Sequence, residues 1–454
     1  MLVLVVLGLG TAILYACWVA WVPLVPTNLY EPLLDLGKIT GYTWTSAFDY
    51  VFLVGALHVL YALGYRHARH GPLIFGFGLV FCLELLWTYP ATAADVFAYV
   101  ADGRLLGVHN ANPFVVPPSA YPRDSILPYL AFPDEPAQYG PLWAVLSAGV
   151  ALLARGDLLD EVLLYKLLGA AAHLAGGLLV LVVACRLGAQ RRQALAGAYL
   201  FVWNPLLLWE MVGNAHNDGL MLVGGLVGLW LLTRGSDRLV LPAVMAGALV
   251  KIPILAIVPV LFLVLWNRSR ANAVEGLLLA AALACACYLP FWHGPETLTA
   301  LGRTRQDLFT ASPASVLRYV LEPGLGIGED VAPAIARGFA YVAFFVLLLA
   351  ITWFQAWYVV WPFGLAAALA CTPRHREVAL LALGGLLQYF VFIYLWVMGV
   401  IPDEPILVQS AAYAALIAPL ALGTLTALAR SRWLSRRPRR WRPRRGRAVR
   451  AMYG

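Results

Sequence analysis

Apolar stretches of about twenty residues recur along this chain, divided by short basic or Gly/Pro-rich breaks, and no other feature constrains its fold as much. They lie at about 2–23, 47–64, 72–90, 160–185, 194–212, 219–233, 272–291, 335–352, 354–370, 378–399 and 405–429. A helix of roughly 20 residues crosses the hydrocarbon core of a bilayer, and inside lipid the backbone must satisfy its own hydrogen bonds. The pattern therefore predicts an all-α fold, a polytopic transmembrane helix bundle with about 11–13 spans. With 61% hydrophobic and 12% charged residues over 454 positions, the chain is excluded from the soluble globular, disordered, collagen and disulfide-scaffold classes. The first run has no basic n-region and no small-residue cleavage site, so it reads as a retained helix.

The formal charge of +8 belongs to one end of the chain. From Arg430 onward there are 11 arginines and no acid, which leaves 21 basic and 24 acidic side chains, a net of −3, on the other 429 residues. This divides the chain into one membrane domain, 1–429, and an Arg-rich cytoplasmic tail, 430–454, that touches anionic lipid headgroups; nucleic acid is not an expected partner. Further basic breaks, at Arg66 and Arg69, Arg186, Arg191 and Arg192, Arg234 and Arg238, Arg268 and Arg270, and Arg374 and Arg376, mark the same cytoplasmic side. The six cysteines (Cys17, Cys82, Cys185, Cys285, Cys287 and Cys371) lie in or beside apolar runs without a CxxC spacing, and read as packing residues.

Keeping those breaks on one side assigns two awkward segments. Tyr139 to Ala154 is apolar but short, and reads as a re-entrant or interfacial element of a long outer loop at about 91–159. The stretch 239–266, interrupted by Lys251 and Pro253, reads as a hairpin of two half-length helices, with Lys251 inside the bundle. Between 292 and 335 no convincing span is visible. Either 310–330 crosses as a poorly apolar helix, or 239–266 is a single crossing, or this chain lacks a span there.

Three polar clusters at expected outer ends of spans carry chemistry. In ELLWTYPATAADVFAYVADGRLLGVHNANPF, Asp95 follows a span end within a turn or two. Two readings stand there: a general base that takes a proton from a sugar hydroxyl, or a plain helix N-cap. In NPLLLWEMVGNAHNDGLM, turn chemistry accounts for Gly213, Asn214 and Gly219. It does not require His216 beside Asn217 and Asp218, residue types that bind sugar hydroxyls or a divalent cation. In TWFQAWYVVWP, Gln355 with Trp357 and Tyr358 forms a polar and aromatic platform, where the simpler reading is an interfacial anchoring belt. Arg303 and Arg305 are either a phosphate clamp or interfacial snorkels.

Taken in order, TAADVFAYVADGRLLGVHNANPF, QYGPLW, WNPLLLWEMVGNAHNDGLM, ALVKIPIL and TWFQAWYVVWP resemble the polyprenol-phosphomannose-dependent α-(1→6)-mannosyltransferases of bacteria, members of the GT-C superfamily. The resemblance implies Asp95 as catalytic base. It also implies a donor and acceptor site that includes Tyr139, His216, Asn217, Asp218, Lys251, Gln355, Trp357 and Tyr358, with Arg303 and Arg305 as further candidates. The implied partners are a polyprenyl-phosphate sugar donor, a glycan or glycolipid acceptor and membrane lipid, at a plasma-membrane active site facing outward. No metal site and no cofactor are firmly implied, although a divalent cation remains open. A transporter of a lipid-linked sugar is the competing reading; it calls for paired charges at the bilayer midplane and repeated half-bundles.

Overall fold

The computed structural model describes residues 1–298, 355–368 and 375–436. Among these residues the regular structure is helical, and the one β-type pairing is an isolated bridge between Pro23 and Thr88. Among the described residues six helices are long and apolar enough to cross a membrane: Leu2–Trp21, Trp44–Tyr65, Leu158–Arg186, Arg270–Phe291, Ala379–Trp396 and Pro405–Thr426. The pair Arg191–Val202 and Pro205–Gly213, bent by 47°, meets the same test when its two pieces are taken together. Asn204 causes the bend by accepting a bond from the Leu207 amide, with Pro205 starting the new helix. The chain is thus an all-α polytopic membrane protein. The expected spans at 72–90 and 219–233 are the shorter helices Gly71–Leu85 and Asp218–Arg234. The expected span at 335–352, the candidate crossing at 310–330 and Cys371 lie outside the described residues.

In chain order the helices are α1 (Leu2–Trp21), α2 (Leu36–Thr40), α3 (Trp44–Tyr65), α4 (Gly71–Leu85), α5 (Asp95–Gly107), α6 (Pro141–Ala154), α7 (Leu158–Arg186) and α8 (Arg191–Val202). There follow α9 (Pro205–Leu208), α10 (Asp218–Arg234), α11 (Val240–Ala248), α12 (Val258–Arg268), α13 (Arg270–Tyr288), α14 (Val360–Ala368), α15 (His375–Tyr389) and α16 (Pro405–Arg436). Local chemistry sets several boundaries. Thr43 caps α3 through the Ser46 amide, and Asp157 caps α7 through that of Asp160.

Burial sorts the two sides of these helices. On α1, Leu4, Tyr15 and Trp18 are buried while Leu2, Val6, Leu9 and Ile13 stand exposed along the opposite face. Apolar faces of that kind suit acyl chains. Inside the bundle, Trp18 meets Trp209 at 4.1 Å between ring centroids, and Trp203 sits edge-on to Phe81 at 5.1 Å. Where α10 and α11 cross, a Cβ on Gly224 would come within 2.7 Å of Gly247 Cα, so two glycines allow the backbones to touch. Arg66 and Arg69, between α3 and α4, and Arg192, in the first turn of α8, gather with Met1 around one hollow. Arg268 pairs with Asp237 at 3.3 Å.

The segment between α4 and α7 carries a buried ionic clamp. Arg104 on α5 donates from Nε to Glu161 at 2.9 Å, from Nη2 to the same carboxylate at 2.6 Å, and from Nη1 to Asp124 at 2.8 Å. His109 reaches the other Asp124 oxygen at 2.9 Å. Burial alone would raise the Asp124 carboxyl, but His109, the Ile126 amide and Arg104 together hold it below its ordinary value. The clamp ties the loop after α5 to the first turn of α7.

Candidate active site

The position of Asp95 follows from how the chain leaves α4. The return stretch is pinned to the end of α1 by Leu24 N–H to Trp87 O at 2.7 Å and Tyr89 N–H to Val22 O at 2.9 Å. α5 then begins at Asp95 itself. The N-cap is Ala94, so Asp95 does not serve as the cap. Its carboxylate lies in the first turn, where the helix dipole favours negative charge, and accepts the Tyr139 hydroxyl proton at 2.9 Å. The side chain is 31% exposed and faces a cavity of about 490 Å³.

Tyr139 is held by its neighbour. Gly140 N–H donates to Val250 O at 3.1 Å and Leu142 N–H to Leu249 O at 3.0 Å; a Cβ on Gly140 would stand 2.1 Å from Leu249 O. Only glycine lets the QYGP turn sit this close to the helix break. Burial raises the Tyr139 phenol well above its ordinary value, so it remains an O–H donor.

The break itself follows from Lys251-Ile252-Pro253. α11 stops at Ala248, Lys251 is extended with φ −151° and ψ 122°, and a 3-10 segment at Ile252–Ile257 leads into α12. Proline lacks an N–H to donate and disfavours helical backbone just before it. The freed Lys251 ammonium donates to Asp218 Oδ2 at 2.6 Å and lies 5.5 Å from the Tyr139 ring centre and 5.9 Å from that of Tyr358. Trp361 Nε1 donates to the other Asp218 oxygen.

The NAHND loop turns inward. Trp209–Gly213 winds as a π-helix, closed by Asn214 N–H to Trp209 O at 2.8 Å, and Ala215 takes a left-handed φ of 58°. His216, Asn217 and Asp218 end 1%, 2% and 0% exposed and do not line the cavity. In this arrangement they stand behind the cavity wall. The His216 ring stacks on Trp357 with centroids 4.3 Å apart. Its Nδ1 is 3.7 Å from Asp95 Oδ2 and its Nε2 is 3.4 Å from Glu210 Oε2. Burial pushes its pKa down to about 3, so the imidazole is neutral. The Asn217 amide has no hydrogen-bond partner among the described residues.

Gln355, Trp357 and Tyr358 line the cavity together with Asp95, Tyr139 and Lys251. Tyr358 also packs on Trp361 at 4.3 Å. Arg303 and Arg305 lie outside the described residues. Sequence reasoning passed over three residues. Glu210 is fully buried and accepts from Tyr389 Oη at 2.7 Å and Asn214 Nδ2 at 2.8 Å; its signal was a lone acid inside the apolar LLLWEMVG. Tyr389 lines the cavity. So does Asp102, whose carboxyl burial pushes up to about 8; its signal was a spacing of seven from Asp95, two helical turns along one face. Among the described residues no group of three or more His, Cys, Asp or Glu side chains is disposed to hold a metal ion.

Fold and site define an integral-membrane protein built around a cavity walled by carboxylates, aromatic rings and one lysine. The family described as alpha-(1->6)-mannopyranosyltransferase, N-terminal domain, matches residues 6–268, and the chain belongs to it. It is similar to alpha-(1->6)-mannopyranosyltransferase B of Corynebacterium glutamicum, 26% identical over 162 residues that make up 34% of this chain and 26% of that protein. Alpha-(1->6)-mannopyranosyltransferase A of Mycobacterium tuberculosis is 24% identical over 371 residues, 70% of this chain and 68% of that one. A probable alpha-(1->6)-mannopyranosyltransferase of Mycolicibacterium smegmatis is 30% identical over 166 residues, 34% of this chain and 28% of the relative. The match thus spans about a quarter of the first relative's length. No solved structure gives a significant match.

Proposed function

We propose that the chain is a mannosyltransferase that moves a mannosyl residue from polyprenyl-phosphate-mannose to a hydroxyl of a glycan or glycolipid on the extracytoplasmic side of the membrane. The observation that carries this reading is Asp95, partly open to a cavity walled by Trp357 and Tyr358 and bonded to the Tyr139 hydroxyl. Asp95 takes the acceptor hydroxyl proton as the oxygen attacks the anomeric carbon. The bond from that carbon to the phosphate oxygen breaks on the opposite face, with inversion, and the phosphate leaves carrying the electron pair. Among the described lining residues Lys251 is the cation, and it meets the charge that develops on the phosphate; Arg303 and Arg305 are further candidates for that role. The donor carries its own leaving group, so the transfer needs no redox or group-carrying cofactor. The exposed apolar faces of the bundle suit a prenyl chain that stays in lipid while its headgroup enters the cavity.

Purified protein given radiolabelled polyprenyl-phosphate-mannose and glycan acceptors tests this reading. Transfer is expected, and Asp95→Asn should lower turnover by about 10²–10⁴-fold while retaining donor binding. Near-normal turnover in Asp95→Asn would overturn the role of Asp95, and translocation of the donor without transfer would overturn the enzyme reading.

A further inference from the structure

Asp102 is a buried acid that the transfer chemistry does not use. It is 6% exposed, lines the same cavity as Asp95, and has no hydrogen bond or ion pair to any described residue. Burying a carboxyl without a partner is costly, and the fully buried Glu210 and Glu161 are bonded, Glu210 to Tyr389 and Asn214 and Glu161 to Arg104. The nearest cation along the helix, Arg104, is committed to Glu161 and Asp124. The missing partner of Asp102 therefore comes from whatever fills the cavity.

Geometry narrows the ligand. Asp95, Ala98 and Asp102 all line the cavity, on one face of α5. The two acids stand seven residues apart, about 10 Å along the helix axis. That separation exceeds one pyranose ring and suits two. Between them Ala98 presents only a methyl group, which leaves room for a ring to lie against the helix. Burial keeps the Asp102 carboxyl protonated at neutral pH, so it offers one donor and one acceptor, the same pair that a sugar hydroxyl offers in return. Tyr129 and Phe132 on the lining add aromatic surface of the kind that covers sugar faces.

We propose that the face of α5 from Asp95 to Asp102 is an acceptor subsite for an oligosaccharide, with Asp102 hydrogen-bonding a hydroxyl of the second sugar ring while the hydroxyl to be glycosylated meets Asp95. The proposal rests on the reading of this cavity as the transfer site. Asp102 is then a specificity residue, which selects acceptors of more than one ring.

The experiment compares a monosaccharide acceptor with a di- or trisaccharide of the same sugar, using native protein, Asp102→Ala, Asp102→Asn and Ala98→Val. Removing one neutral hydrogen bond should raise the oligosaccharide KM in Asp102→Ala about 5- to 10-fold more than the monosaccharide KM. Asp102→Asn, which keeps a donor and an acceptor, should remain within about twofold of native on both. Ala98→Val, which fills the space without touching either acid, should penalise the longer acceptor in the same way and serves if Asp102→Ala fails to fold. Equal penalties on both acceptors, or none, would overturn the subsite. Binding of the trisaccharide followed by tryptophan fluorescence separates the two readings. Asp102-dependent binding without any transfer would leave the subsite standing and remove the proposed activity. Transfer with no Asp102-dependent length preference would do the reverse.

Discussion

Lys251 Nζ lies 2.6 Å from Asp218 Oδ2, joining the broken helix at 248–252 to the first residue of α10. Asp218 is fully buried and Lys251 is 12% exposed, so each charge depends on the other. Lys251→Met should therefore destabilise the fold by about 3–5 kcal/mol, because it strands a buried carboxylate. Lys251→Met combined with Asp218→Asn should recover a large part of that loss, since Trp361 still has an oxygen to donate to. Thermal unfolding in detergent reads both. Strict additivity of the two substitutions would argue against the pairing.

Tyr139→Phe removes a single hydroxyl, the one that Asp95 accepts from at 2.9 Å. The ring, with its contacts to Tyr99 and Lys251, remains. Turnover should fall about tenfold, in line with one hydrogen bond to a charged group, while the donor KM changes little. Steady-state kinetics with the lipid-linked donor checks it; a change confined to donor KM would place the tyrosine on the donor instead.

The Asp102 carboxyl holds its proton up to about pH 8 in the folded chain, against an ordinary value of 3.8. Between those two values the folded state binds more proton than the unfolded one, so this residue lowers stability as pH rises through that window. Asp102→Asn removes the slope. The variant should match native protein near pH 4 and melt higher at pH 8 and above, as melting curves across the range would register. A difference independent of pH would contradict the assignment.

Arg104→Met leaves Glu161 without its guanidinium partner and Asp124 with only His109 and backbone. Loss of one member of a buried ionic cluster should cost about 3–5 kcal/mol. The effect should concentrate in residues 108–140, which hydrogen exchange would show as faster exchange there than in α3 or α10. Uniform loss of protection would instead indicate that the clamp supports the whole bundle.

Much of the architecture was legible because its cause is local. Run length set the membrane helices, and Lys251-Ile252-Pro253 marked the break because proline acts on its own neighbours. A span ending just before Asp95 placed that acid near a helix start. What could not be read is pairing across the chain. Nothing in NAHND says that His216 will stack on Trp357, and nothing around Glu210 predicts Tyr389 as its donor. The inward direction of the loop depends on an alanine in left-handed backbone, a conformation that residue type does not announce. Asp102 was missed for a different reason. Its spacing from Asp95 was visible, but spacing alone does not say which face of α5 is hollow.

The π-helical turn at Trp209–Gly213 holds one residue more than an α-helix would use. Deleting one residue there, such as Met211, would close the wide turn to an α turn, whereas adding another would rotate everything after it by about 100°. His216 would swing off Trp357, and Asp218 off Lys251. The azimuth of the polar loop is thus written in the number of residues in this turn as well as in the bonds that Glu210 makes. An added residue would dismantle the cavity wall with every polar side chain still present.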